Sequence, residues 1–393
     1  MSVPLPPSRR LPAPQGANST LAVAGLVHAV HDGYTDLIYV LLPIWQSEFG
    51  LSYSLLALLR GLYAGSMAAL QVPSGRLAER VGARTLLATG TILAALGYAF
   101  AGLSGGALGL CASLALSGAG SSVQHPIASA AVSRAFGDRA RGPIGTYNFS
   151  GDLGKAALPA FTSLLVTVMP WRQALWLIAA IGLAAAVAVA FMPRVRRGEA
   201  NAVERSISAA GKGGFPMLCA IGALDTATRM GFLTFLPFML QSRGATLPTV
   251  GTAFAAVFVG GAFGKFACGW LGERLGVVRT VLLTEGVTVA LILTVMALPL
   301  APALLILPVV GVALNGTSSV LYGTVPELAP ARRVENAFAV FYTGVIGAGA
   351  LAPVLYGLLG DLGGWAWGMA AAAATALFTL PLVLLLSPQL SRR

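Results

Sequence analysis

Charge is what this sequence has least of. Asp, Glu, Lys and Arg make up only 10% of its 393 residues, 56% are hydrophobic, and the mean hydropathy is +0.79. A water-soluble domain carries roughly 25% charged residues. This chain therefore lacks the polar side chains needed to cover a surface in water, and most of its length belongs in lipid. Cysteine is scarce too. Cys111, Cys219 and Cys268 lie in apolar stretches without paired spacing, so they are read as small buried hydrophobes, not as a disulfide or metal framework. There are three histidines, with no H-E-x-x-H and no G-x-S-x-G turn. A metalloprotease and a serine hydrolase are thereby left without their working parts. No G-x-x-x-x-G-K-[ST] loop is present to hold ATP, so nucleotide hydrolysis is not the expected energy source. No cofactor, no metal and no enzymatic activity are expected.

What the chain has in abundance is long apolar runs. About 20 apolar residues cross the hydrocarbon as a helix. That length predicts twelve spanning segments near 19–43, 53–74, 84–103, 107–133, 143–167, 172–192, 215–241, 248–269, 278–298, 302–325, 336–358 and 364–386. Residues 1–18, rich in Pro, read as a disordered cytoplasmic tail and not as a signal peptide. The longest polar stretch, 194–214, reads as a linker between a first bundle (19–193) and a second (215–387). The 48 glycines and many alanines suit helices whose backbones approach closely in lipid.

The net charge of +11 is distributed unevenly. With the N-terminus inside, 19 of the 25 Lys and Arg fall on the cytoplasmic side, only Arg172 and Arg243 fall opposite, and four lie within segments. By the positive-inside rule both termini are expected in the cytoplasm. The same asymmetry accounts for the basic charge without nucleic acid.

One short pattern occurs twice, 194 residues apart. Gly75-Arg-Leu-Ala-Glu79-Arg80-Val-Gly82 follows the second segment, and Gly269-Trp-Leu-Gly-Glu273-Arg274-Leu-Gly276 follows the eighth. Weaker echoes keep the same order: Leu42-Pro43 with Leu236-Pro237, Gly120-Ser-Ser-Val with Thr317-Ser-Ser-Val, and Pro159 with Pro353. Two homologous halves around a central cleft are the working parts of an alternating-access carrier. One chain supplies both halves, so a monomer is expected.

The repeated G-x-L-x-E-R-x-G pattern resembles the loop between helices two and three of the major facilitator superfamily, with Glu79 where the family usually has Asp. The resemblance implies an all-α membrane protein of twelve helices in two pseudo-symmetric six-helix bundles. It also implies a cytoplasmic gate at Gly75, Glu79, Arg80, Gly269, Glu273 and Arg274. In the first half, His28-Ala-Val-His31-Asp32, Pro43-Ile-Trp-Gln46-Ser-Glu48-Phe49, Gly120-Ser-Ser-Val-Gln-His125-Pro126 and Asn148 are similar to the fosmidomycin-resistance branch of that superfamily. Members of that branch are associated with export of small antimicrobials, some of them anionic. The sequence departs from the branch at His31, usually Asn, and at Asp152 and Lys155, in a stretch usually uncharged.

Ionisable groups inside spanning helices are costly and by default face a cavity or a partner. In the first segment His28, Asp32 and Asp36 recur at i, i+4 and i+8, on one face. Asp32 lies about 18 Å along the helix at 1.5 Å per residue, near the midplane. A carboxylate there beside His28 or His31 suits proton coupling; a structural His–Asp hydrogen bond is the other reading. In the fifth segment Asn148, Asp152 and Lys155 share a face, and the last two either contact substrate or neutralise each other. Asp225 and Arg229 repeat the i, i+4 pattern in the seventh. Arg60 suits a carboxylate or phosphonate or pairs with Asp36. His125, Tyr147, Tyr322 and Tyr342 are further candidate substrate contacts. Lys265 reads as a snorkelling side chain, and Glu285 has no assigned role. The function expected is proton-driven efflux of a small polar or anionic molecule across a bacterial-type inner membrane, with uptake of an organic anion together with protons as the alternative. A membrane sensor would keep such a fold but usually adds a soluble signalling domain, for which the tails and linker are too short.

Overall fold

The computed structural model describes residues 16–193, 214–329 and 334–390. The expected tail up to residue 15 and linker residues 194–213 lie outside the described residues. The described residues form thirteen α-helices, two short 3-10 turns and no strand. In chain order the first half holds α1 (Ala17–Phe49), α2 (Tyr53–Val81), α3 (Ala83–Ala101), α4 (Ala107–Ser121), α5 (Gln124–Phe136), α6 (Arg141–Val168) and α7 (Trp171–Ala190). The second holds α8 (Phe215–Ser242), α9 (Leu247–Leu275), α10 (Val277–Ala297), α11 (Leu300–Leu328), α12 (Val334–Gly363) and α13 (Trp365–Leu386). Both described ends of the chain lie on one face, called here the terminal face; the opposite one is the far face.

Twelve segments become thirteen helices because the fourth is broken. Pro126 has no N–H to give to the carbonyl of Ser122, so the ladder fails there. Ser122 N closes α4 on Gly118 O (3.1 Å), and Ile127 N resumes on Val123 O (3.2 Å). Among the described residues eight helices are long and apolar enough to cross a membrane by themselves. The other segments are this broken one and α1, α6 and α8, which carry His28, Asp32 and Asp36, Asp152 and Lys155, and Asp225 and Arg229.

The repeated motif is not a loop. Its residues are the last turns of α2 and α9, which run on to Val81 and Leu275. The bends fall at Gly82 (φ 92°) and Gly276 (φ 78°), in a backbone region that favours glycine. Each therefore stops a helix and starts the next without a linker.

Small residues set how the helices meet. A Cβ at Gly154 of α6 would lie 1.9 Å from Ala29 O of α1, so α6 seats on α1 backbone to backbone. The halves join along two seams related by the 194-residue repeat, α2 with α12 and α6 with α9. At the first seam a Cβ at Gly61 would lie 2.7 Å from Ala350 O, and one at Gly357 2.5 Å from Ser54 Cα. At the second, a Cβ at Gly251 would lie 1.9 Å from Ser163 Oγ. On the far face Asp361 of α12 also accepts from Tyr53 N of α2 (2.6 Å). Toward the terminal face Gly65 and Gly75 of α2, Gly142 and Gly145 of α6, and Gly344 and Gly347 of α12 face open space. The halves thus close against each other on the far side and diverge on the terminal side.

Gly154→Ala is expected to overpack the α1–α6 contact and cost about 1–3 kcal/mol, whereas Gly145→Ala, facing open space on the same helix, is expected to be near neutral. Thermal unfolding of the two variants in detergent checks the contrast.

Candidate functional site

The ionisable residues of α1 face two ways. His28 and Asp32 face α6. His28 Nδ1 lies 2.8 Å from Tyr147 O; a carbonyl only accepts, so Nδ1 carries a proton. The imidazole stacks on the Tyr147 ring at 4.1 Å. Its Nε2 is thereby aimed at Asp32 Oδ2, 3.4 Å away. Lys155 Nζ of α6 approaches the same oxygen at 3.2 Å, and His125 Nε2 of α5 lies 3.8 Å from Oδ1. Gly151 makes room for this cluster, since a Cβ there would lie 2.6 Å from Asp32 Oδ2.

His31 belongs to a different network. Thr91 donates its hydroxyl to Leu87 O (2.7 Å), so it accepts from His31 Nε2 (3.0 Å). Tyr63 then donates to Ser121 (2.7 Å), which donates to His31 Nδ1 (2.9 Å). Every hydrogen is used once with the imidazole neutral. The structure thus places His31 as a bridge between α1, α3 and α4, apart from the Asp32 cluster.

The fifth-segment charges do not neutralise each other. Lys155 turns to Asp32, while Asp152 takes Lys265 of α9 on both oxygens (2.5 and 2.8 Å). Lys265 is therefore not a snorkelling side chain but half of an ion pair joining the two halves. The orientation of these groups is informative: the side chains of His125, Lys265 and Lys155 are 42, 38 and 30% exposed, whereas those of Asp32 and Asp152 are 11 and 13% exposed. The nitrogen-bearing side chains reach open space and the carboxylates lie behind them.

Asp36, one turn further along α1, is buried within electrostatic range of Lys155, Arg60 and Arg229. The Arg60 guanidinium sits 5.5 Å from the Tyr39 ring centre. Tyr322 and Tyr342 pack together at 4.9 Å, with Tyr342 exposed, and Asn148 lies exposed on α6 toward the terminal face. Tyr147 is buried beneath His28, its hydroxyl accepting from Gln124 Nε2 (3.3 Å). Asp225 of α8 is buried within electrostatic range of Glu285 of α10, which is buried as well. Neither Tyr147 nor Asp225 is among the exposed groups. Glu79, Arg80, Glu273 and Arg274 are exposed at the terminal ends of α2 and α9, with Arg274 over the Trp270 ring at 4.1 Å.

Sequence spacing alone did not reveal Lys265, Glu285 or Gly151 as parts of these networks. The signals present were an intramembrane charge in each of the first two, and in the third a glycine directly before Asp152. Spacing also missed that His28, Asp32 and His125 offer ligand atoms within 4.8 Å of one another. The set does not fit a resident cation. The Lys155 ammonium already neutralises Asp32 at 3.2 Å, and an incoming cation would meet like charge.

Two halves closed on one side, with a buried charged cluster between membrane helices, define a carrier of the alternating-access type. The Major Facilitator Superfamily model matches residues 24–213 and 218–393, and the chain belongs to that superfamily. It is a transporter by family. Solved transporters share the fold. A bacterial homologue of the human lysosomal transporter Spinster, inward-facing and occupied, superposes with TM-score 0.78 at 16% identity over 96% of this chain and 97% of that one. The nucleoside transporter NupG, as an aspartate-to-alanine mutant, gives 0.77 at 11% over 95% and 100%. No curated protein matches the chain.

Lys265→Met and Asp152→Asn are each expected to destabilise the protein by about 1–3 kcal/mol, because the remaining partner is left unsatisfied. The double variant is expected to lose less than either single one. Thermal unfolding of the three proteins checks the cycle.

Proposed function

We propose that this transporter is proton-coupled and moves a small polar or anionic compound through the bundle interface. The observation that carries the reading is Asp32, buried at mid-helix and touched by His28, His125 and Lys155. Bringing a proton to this cluster changes its net charge, and lipid makes any charge imbalance costly. Lys155 and Lys265 present positive charge toward the open side, with the His125 imidazole beside them and Arg60 and Arg229 adding positive field behind. Tyr322, Tyr342 and Asn148 extend that wall. The terminal ends of α2 and α9, bearing Glu79–Arg80 and Glu273–Arg274, serve as the gate.

Efflux in exchange for protons is the direction suggested by the resemblance to the fosmidomycin-resistance branch. In that reading the protein is a monomer in a bacterial-type inner membrane with its arginine-rich terminal face toward the cytoplasm. A second reading, uptake of an organic anion together with a proton, is favoured by the Lys155–Asp32 contact at 3.2 Å. An anion takes Lys155 most readily once Asp32 has been neutralised.

The test uses everted vesicles with an acidified lumen, lumen pH being read as phosphonates, carboxylates or cationic drugs are added. Export coupling predicts alkalinisation by one compound class, lost in Asp32→Asn. Proton-driven transport that survives Asp32→Asn at the wild-type rate would sink the coupling assignment. Counterflow of an anion stimulated by protons on the same side would select the uptake reading.

A further inference from the structure

The start of α2 is capped from both halves of the molecule. A helix start leaves its first N–H groups without intrahelical acceptors. Leu56 N opens the ladder on Ser52 O (3.0 Å), which leaves the N–H groups of Tyr53, Ser54 and Leu55. Leu55 N is taken locally by Ser52 Oγ at 3.2 Å, the ordinary serine N-cap. The other two go to Asp361 near the end of α12, in the second half. Tyr53 N donates to Oδ1 at 2.6 Å, and Ser54 N lies 3.4 Å from Oδ1 and 3.3 Å from Oδ2. Gly357 and Gly360 share that side of α12 and permit the approach. A Cβ at Gly357 would lie 2.7 Å from Ser54 N, and one at Gly360 3.3 Å from Tyr53 Cβ.

The 194-residue repeat maps this helix start onto that of α9. Ser52 becomes Thr246, whose Oγ1 accepts from Thr249 N (3.4 Å), and Val250 N opens the ladder on Thr246 O (3.0 Å). The local cap is kept. The cap from the opposite half is not. Ser54 becomes Pro248, which has no N–H to give. Asp361 becomes Thr167, whose hydroxyl donates to Leu164 O of its own helix at 2.7 Å. Donor and acceptor have both changed. At the far face, among the described residues, only the seam of α2 with α12 is thus fastened by a carboxylate.

A carboxylate on a helix N-terminus is a directional, charge-assisted contact. Alternating access parts the far ends of α2 and α12 once in every cycle. The contact exists only while they are together. It therefore stabilises the far-closed arrangement and not the far-open one, and such a difference is what shifts a two-state balance. α2 carries Arg60 two turns beyond the contact and Glu79–Arg80 at its terminal end, so Asp361 acts on both through the helix it holds.

We infer that Asp361 is a positioning residue of the transport cycle, its carboxylate clasping the start of α2 and biasing the empty carrier toward closure on the far face. The bias follows from the two-halved fold and is independent of proton coupling and of the substrate.

The experiment measures how fast N-ethylmaleimide alkylates single thiols in the full-length protein in lipid, without substrate, the other cysteines being replaced by alanine. Ser163→Cys places the thiol in the seam without the clasp, where Ser163 is buried against Gly251. Ala57→Cys places it beside the clasp, at a buried position of α2. A third protein keeps only Cys268, which is buried within the second half. Adding Asp361→Asn is expected to raise the rates at positions 163 and 57 by a common factor, roughly 3- to 30-fold, and to leave the rate at Cys268 unchanged. Ser54→Pro, which copies Pro248, is expected to raise the same two rates by less, and to add little once Asp361→Asn is present. Rates that stay at wild type in Asp361→Asn would overturn the inference. So would a rise confined to position 57, which is local fraying of α2, or a matching rise at Cys268, which is unfolding.

Discussion

Inside a bilayer no water is at hand to answer a charge, so each one has to be met by another helix. The contact between Lys155 and Asp32 is where that requirement shapes the most structure. It holds α6 against α1 at a distance that only glycine at 151 and 154 permits. It also turns Lys155 away from Asp152, three residues earlier on the same helix. Asp152 is then left to Lys265 across the bundle interface. One ion pair within the first half therefore determines the ion pair between the halves, and with it the presentation of nitrogen-bearing side chains to open space.

Much of the fold was legible from hydropathy alone. Segment ends such as 215–241 and 364–386 fall within a residue or two of α8 and α13, because the length of the apolar run is set by the bilayer. Proline content was also legible, but its effect was not. Pro43, Pro73 and Pro159 sit within continuous helices, whereas Pro126 coincides with a break. The doubled motif was correctly read as a mark of duplication and wrongly read as loop. A glycine at the end of each copy stops the helix, and the residues before it are free to stay helical.

The site was less legible because spacing reports one helix at a time. It put His28, Asp32 and Asp36 on one face of α1 and Asp152 with Lys155 on one face of α6. It carried no information about the rotation of α6 against α1, which decides that Lys155 rather than Asp152 meets Asp32. His31 shows the same limit. It lies three residues from His28, close enough to suggest a shared task, yet the helix turns it toward α3 and α4. Glu285 looked isolated because Asp225, the buried carboxyl nearest it in charge, is 60 residues away in the sequence.

The glycine-lined seams have a consequence for the resting balance of the molecule. On the far side the halves approach backbone to backbone at these glycines, with Tyr53 packed on Phe235 and Phe238 and Tyr39 on Phe254 beside them, so parting them uncovers closely fitted surfaces. On the terminal side the facing glycines contribute no such grip. The adhesion is therefore lopsided: small and aromatic residues supply it on the far side, and the Asp152–Lys265 ion pair adds to it between α6 and α9. Which way the empty protein rests would then be written largely in its glycines, while its charges hold that position and decide what moves it from there.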